Sequence, residues 1–428
     1  MESDNFVINH RTMWTVFGAF IVFALAFCFH CDASQSSSIS ADPHNRVSFS
    51  SVKEILDTFK DFDLIELQKY FSANPMNRYA IVIVFKHRYL YEQFVINSPN
   101  LSPNGTFNDT LDVVQNFGHL IKMLKVDYRL LDTDQSAALN KILNDRSSYS
   151  LVDVELVHCD DDKILDLRGP FLNVESVQLR MGNLRTNASR FDKIFPALRR
   201  LHLGEMYYTH AGCFEHNFPH LESLTVEFWY GSYPHTAVLL ETRLRANPQL
   251  KHVTIIRCTW NMLEILSKYS TQLESLTLEQ FHDDSVFEGK EIRFNSLKVF
   301  KFKPRSAFKK NIGRIPIVFE KLEEIEFHNS PDEWIAIMQK NKGLKIVTTG
   351  KLDDLQFIHV LCVVPNIQEL YTGYNAISPC NNILRFIRGA KHLKRILFTA
   401  FDHRVLNQIY KRIDHEWDLL PGGMLVRN

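Results

Sequence analysis

The apolar positions of this chain fall into one recurring pattern, Φ-x-x-Φ-x-Φ with Φ apolar, from Ile121 to the C-terminal region. The first registers are Ile121/Leu124/Val126, Leu151/Val154/Leu156, Val174/Val177/Leu179 and Leu198/Leu201/Leu203. Next come Leu221/Leu224/Val226, Leu250/Val253/Ile255, Leu273/Leu276/Leu278 and Leu297/Phe300/Phe302. The last are Leu322/Ile325/Phe327, Leu344/Val347/Thr349, Ile367/Leu370/Thr372 and Leu393/Ile396/Phe398. Successive opening positions lie 30, 23, 24, 23, 29, 23, 24, 25, 22, 23 and 26 residues apart. The second and third positions are two residues apart, so in a strand they share one buried face, and the opening residue enters the core as the chain turns into that strand. Between registers, segments such as Met262–Tyr269 and Asn382–Arg388 carry apolar residues at helical spacing. Several run into a turn just before the next register, at Phe195-Pro196, Phe218-Pro219, Asn247-Pro248 and Val364-Pro365-Asn366. A strand-plus-return unit cannot bury its apolar face alone, so residues 117–428 are predicted to stack into one curved array with every strand parallel.

Motif and period resemble the leucine-rich repeat. Repeats of that family often place Asn or Cys eight residues after the first leucine, and Cys159, Cys258 and Asn375 hold that position here. The ladder is discontinuous, which is similar to the irregular ribonuclease-inhibitor or F-box-associated type. The resemblance implies an α/β solenoid, a curved parallel sheet with helical or irregular return arcs, in which Cys159 and Cys258 are core residues.

Ahead of the repeats, residues 47–97 read as a small helical domain and 98–116 as an Asn/Ser/Pro loop. Val52, Ile55, Leu56 and Phe59 form one helical face, Asp63 and Glu66 have capping-box spacing, and Arg78–Val95 is a third helix candidate. The order from Glu54 to Leu67, EIL, then Phe59, then FDLIEL, resembles an F-box. Arg78–Ala80 with Phe85–Tyr89, and Phe117–Leu124, resemble the segments that follow in insect F-box/leucine-rich-repeat proteins. The resemblance spans most of residues 47–428. Ser50-Ser51 stands where that family opens with Leu-Pro, and no Cys-x-x-x-Trp-like pair occurs in the third helix. It implies that 47–97 binds the linker subunit of a cullin-based ubiquitin ligase, in the cytoplasm, with the array as substrate receptor. The same residues also fit a cap over the first repeat's apolar face.

Residues 13–29 are seventeen residues without a charge, followed by the Ser-rich linker 34–40. Together, residues 1–46 read as a targeting segment, a signal peptide or signal anchor, which places the chain in the secretory pathway or at a membrane. Four sequons, at Asn100, Asn104, Asn108 and Asn187, are candidate glycosylation sites in that setting.

Charge changes the picture mainly by exclusion. Forty-nine basic residues balance forty-nine acidic ones, which argues against a nucleic-acid platform. Seven scattered cysteines give no disulfide framework. No HExxH, GxGxxG, GxxxxGK[ST] or GxSxG motif occurs, so no cofactor, metal or catalytic site is expected and the chain reads as non-enzymatic. The side chains between the buried strand positions face the open side of the sheet and are of mixed charge, which suits a protein partner. The candidates there are His202, Thr225, Glu227, Thr254, Thr277, Glu279, Lys301, Glu326 and Tyr371, with the aromatics Trp229, Tyr230 and Trp260 just beyond the strands.

Overall fold

Every register of the pattern is a strand. The computed structural model describes residues 51–428 apart from 90–91, 97–105, 161–162, 164–165, 181–190, 207–216, 229–232, 281–290, 304–316, 329–333, 375–380, 401–402, 414 and 428. The strands are β1 (Phe94–Ile96), β2 (Met123–Asp127), β3 (Asp153–Val157), β4 (Ser176–Arg180), β5 (Arg200–Met206) and β6 (Ser223–Phe228). They continue with β7 (His252–Ile256), β8 (Ser275–Glu279), β9 (Ile292–Phe294), β10 (Val299–Lys303), β11 (Ile317–Phe319) and β12 (Glu324–Phe327). The last are β13 (Ile346–Leu352), β14 (Glu369–Tyr374), β15 (Arg395–Ala400), β16 (Trp417–Leu420) and β17 (Met424–Arg427).

Fifteen of them form one sheet in chain order, β9 and β11 pairing apart and the last two strands exchanging places. From β1 to β15 the pairing is parallel and keeps like positions in line: Leu224 opposite Val253, Val253 opposite Leu276, Leu276 opposite Phe300. All three Φ positions of all twelve registers are at most 4% exposed, including Thr349 and Thr372. This is a leucine-rich-repeat fold.

Backbone hydrogen bonds fix the stacking. The carbonyl just after each opening residue accepts two amides from the next repeat, as Glu222 does from Lys251 and His252 at 2.9 and 3.0 Å. At three strand ends the chain leaves the sheet through a left-handed residue, His158, Arg257 and Gln280, with φ of 53°, 64° and 50°. Their amides donate to the carbonyls of Arg180, Glu279 and Lys303, so the strained turn is tied to the next strand. Return helices cover the far side of the sheet: α5 (Thr133–Ser147), α6 (Phe191–Ile194), α7 (Tyr233–Ala246), α8 (Trp260–Tyr269), α9 (Ile335–Lys340), α10 (Asp354–Val363), α11 (Asn381–Gly389) and α12 (His403–Arg412). Cys159 and Cys258 are 1% and 0% exposed in this core, and burial pushes the Cys258 thiol pKa up.

The first helices are α1 (Val52–Thr58), α2 (Leu64–Ala73), α3 (Arg78–Tyr89) and α4 (Phe107–Phe117). The Asp63/Glu66 capping box is present in both directions. Two expectations are corrected here. The third helix stops at Tyr89, because Phe94 and Ile96 turn inward as β1 beside β2. Of the loop expected over 98–116, residues 107–116 belong instead to α4, which Thr106 and Asp109 cap and whose Phe117 stacks on Phe85 at 4.6 Å, while 98–105 lie outside the described residues.

A third correction lies at the C-terminus. The array does not end on a parallel strand: β17 pairs antiparallel with β15 and with β16. The turn between Leu420 and Met424 contains Gly422 and Gly423, both at φ 83°, a conformation glycine adopts freely. The resulting hairpin covers the edge of β15 that another repeat would otherwise occupy.

Candidate functional site

Parallel register turns one residue per strand into a continuous row on the open face of the sheet. The middle row runs Lys125, Glu155, Gln178, His202, Thr225 and Thr254. It continues Thr277, Lys301, Glu326, Thr348, Tyr371 and Leu397. Sequence reasoning placed nine of its candidates on strands of this face, and the structure brings His202, Thr225, Thr254, Thr277, Lys301, Glu326 and Tyr371 into this one row. Glu227 and Glu279 sit two residues further along their strands.

The two ends of the row are paired with themselves. At one end Glu155 accepts from Lys125 Nζ at 2.8 Å and Gln93 Nε2 at 3.2 Å, with Arg180 at 3.6 Å. Burial alone would raise the Glu155 pKa, but those hydrogen bonds and cations outweigh it and hold the carboxyl below its usual range. At the other end Lys301 contacts Glu324 and Glu326 at 3.0 and 3.5 Å, and Lys303 contacts Glu326 and Glu279 at 3.5 and 3.6 Å. His328 adds a contact to Glu326 at 3.0 Å. Tyr371 donates its hydroxyl to Glu369, which raises the phenol's pKa, and Glu369 also meets Arg395 at 3.2 Å.

The middle is different. Over β6–β8 the open face carries Ser223 and Thr225, His252 and Thr254, Ser275 and Thr277. None of the five hydroxyls, those of Ser223, Thr225, Thr254, Ser275 and Thr277, makes a hydrogen bond among the described residues. Beside them His202 is half-buried and its Nε2 is shielded from water without a hydrogen-bond partner. Burial, then the charge of Arg180, lowers the His202 pKa, and Glu155 offsets part of that. The imidazole is thereby biased to its neutral form.

Several expected contact residues have neighbours within the chain. Glu227 pairs with Arg257 at 3.2 Å, and Arg257 also donates to the Phe228 carbonyl at 2.9 Å, which braces the left-handed turn. Glu279, Lys301, Glu326 and Tyr371 have the neighbours given above. Trp260 opens α8 and is 6% exposed, so it is a core residue and not an aromatic on a loop edge. Helical spacing with Met262, Leu263 and Leu266 was the signal for that placement. Trp229, Tyr230, Asn100, Asn104, Asn187 and the segment 13–29 lie outside the described residues. Asn108 is exposed in the first turn of α4, but the Thr110 of its sequon is fully buried. Sequence reasoning passed over the self-pairing of the charged ends, which depends on which residues of different repeats come opposite one another.

Among the described residues no cluster of three or more His, Cys, Asp or Glu side chains could hold a metal ion, and no helix is long and apolar enough to cross a membrane. No family model matches the sequence, and no curated protein matches it. Among solved structures, an internalin from Listeria monocytogenes is similar at 11% identity and a TM-score of 0.35, covering 81% of this chain and 98% of that one. At that distance the likeness adds nothing to what the chain's own registers show.

Proposed function

We propose that this chain is a non-enzymatic recognition protein that binds a protein partner on the open face of its sheet, centred on β6–β8. The observation that carries the reading is the contrast along one row. Charged groups at both ends satisfy one another, while the hydroxyls of Ser223, Thr225, Thr254, Ser275 and Thr277 are left with no partner among the described residues. Such groups, on a rigid sheet, are ready to hydrogen-bond an incoming surface with little ordering cost. Thr254→Arg and Thr225→Arg put bulk and charge into the patch without touching the core. Cross-linking in cells followed by identification of bound proteins is the test. A partner captured by the parent chain and by Ser267→Arg on the return side, but lost in Thr254→Arg, supports the site. Equal capture by all three removes it.

A second reading, substrate receptor of a cullin-based ubiquitin ligase, is favoured by one observation: α1, α2 and α3 precede the array and pack on one another. Co-purification of the ligase's linker subunit with the parent chain, abolished by deleting residues 51–89, is its expected result. The two readings separate by compartment. Residues 13–29 support a secretory or membrane-anchored chain. Cell fractionation with an endoglycosidase mobility shift decides between that placement and a cytoplasmic one, in which the ligase reading takes over.

A further inference from the structure

His202 stands at the border of the hydroxyl patch, and its imidazole leans along its own strand. In the middle row it faces Gln178 of β4 on one side and Thr225 of β6 on the other. Two residues on, Gly204 faces Arg180 and is buried, although its position belongs to the open face. The point where a Cβ would stand on Gly204 lies 3.6 Å from His202 Nε2, 3.2 Å from Arg180 Cγ and 3.7 Å from Arg180 Nε. The missing side chain thus leaves a shallow seat on the sheet, which the imidazole and the Arg180 side chain share. In that seat Nε2 is shielded from water and has no hydrogen-bond partner among the described residues.

Such a seat suits the neutral ring. A protonated imidazole carries a proton on each nitrogen, so Nε2 becomes a donor whichever tautomer preceded it. The carboxylates around it are engaged. Glu155 of β3 accepts from Lys125 and Gln93 and has Arg180 at 3.6 Å. Glu227 of β6 pairs with Arg257 of β7 at 3.2 Å. Arg180 on β4 and Arg200 on β5 itself are cations. A shielded donor with no acceptor, beside a guanidinium, is less stable than the same group in water. The lowered pKa of His202 has the same origin, burial first and the Arg180 charge second.

We propose that His202 is a proton-operated switch at the rim of the β6–β8 patch: neutral, it lies in the seat over Gly204 and leaves the rim low and uncharged; protonated, it swings out beside Thr225 and sets a positive charge there. The consequence for binding rests on the reading of that patch as the partner-binding face. The raised imidazolium then occupies ground that the partner needs, and acidification releases it.

The test uses the full chain without a partner, labelled at threonine and leucine methyls and at histidine ring carbons. It is titrated from about pH 8 to about pH 4.5, across the range in which histidine changes charge. The Thr225 methyl is expected to shift with the same midpoint as the His202 ring, and the Thr277 methyl, two strands away, to move less. His202→Gln is expected to abolish the Thr225 shift, and His252→Gln to leave it in place. Arg180→Gln, which takes the guanidinium out of the seat, is expected to raise the His202 midpoint. The methyls of Leu276, in the core, report that the array stays folded. A Thr225 methyl that holds still while His202 titrates, or that still moves in His202→Gln, overturns the proposal. So does a midpoint that Arg180→Gln leaves unchanged, or a His202 ring that takes no proton before the Leu276 methyls report unfolding. Whether the patch binds a partner is decided separately, by the capture with Thr254→Arg.

Discussion

Leu276 shows what one repeat position contributes. It is 0% exposed, and its backbone neighbours across the sheet are Val253 and Phe300. Truncation to Ala removes methyls from both interfaces at once, and so does truncation of Leu224 between Leu201 and Val253. Each is expected to cost roughly 2–5 kcal/mol in chemical denaturation, and a loss below about 1 kcal/mol would contradict the burial. At the same scale, Glu155 makes stability depend on pH. Its folded pKa is held below the unfolded value, so its stabilisation is present above the ordinary carboxylate range and is lost as pH falls through the folded value. Glu326 contributes with the same sign. His202 does too: its lowered pKa means a neutral ring must take up a proton as pH falls. Thermal melts of Glu155→Gln are expected to show a shallower acid limb than the parent, and an unchanged limb would mean the pairing with Lys125 and Arg180 carries no linkage.

Elements at the two ends of the array are held by one arginine each. Arg88, near the end of α3, donates to the carbonyls of Phe62 and Phe59 at 2.6 Å and of Lys60 at 3.1 Å. It thus ties α3 to the turn that follows α1. Arg88→Ala is expected to destabilise the N-terminal helices by about 1–3 kcal/mol, because three carbonyls lose a charged donor. Arg88→Lys restores little, since an ammonium lacks the planar fork. Hydrogen exchange in residues 52–73 reads this directly, and unchanged protection would show that packing alone holds the helices. At the other end Arg427 donates to the carbonyls of Ile387, Ala390 and Lys391 and lies 4.8 Å over the Trp417 ring. It fastens the hairpin to the end of α11.

The whole molecule behaves as a line of neighbours, each repeat touching the one before and the one after. Damage at Leu276 is therefore expected to raise hydrogen exchange most in β7, β8 and β10, with the effect fading toward β2 and β14. Uniform exchange along the chain would mean that the array unfolds as a single unit. Closure at the ends matters for the same reason. Removal of residues 413–428 strips β17 and β16 from β15 and exposes the row Arg395 to Leu397 as a free strand edge. Sedimentation of the truncated chain is expected to show concentration-dependent association that the parent lacks. A truncated chain that stays monomeric would show that the edge needs no cover.

The period of the apolar residues determined the twelve strands and their inward residues, because a strand that must bury two alternate side chains against its neighbour has one register available, and the resemblance to the leucine-rich repeat placed Cys159 and Cys258 in the core. Three things were not legible. The strand at Phe94–Ile96 is too short for alternation to be told from the helix before it. The C-terminal hairpin through Gly422 and Gly423 was the second, since only the free edge of β15 in the stacked array makes it a cap. The fate of the charges on the open face was the third. Glu227, Lys301 and Glu326 look like free contact residues along the chain, and they are neutralised by Arg257, Glu324 and Lys303 only when repeats stack. Sequence spacing sets which residues point outward. Which of them already have a partner depends on side chains tens of residues away, and the tertiary structure alone brings those within reach.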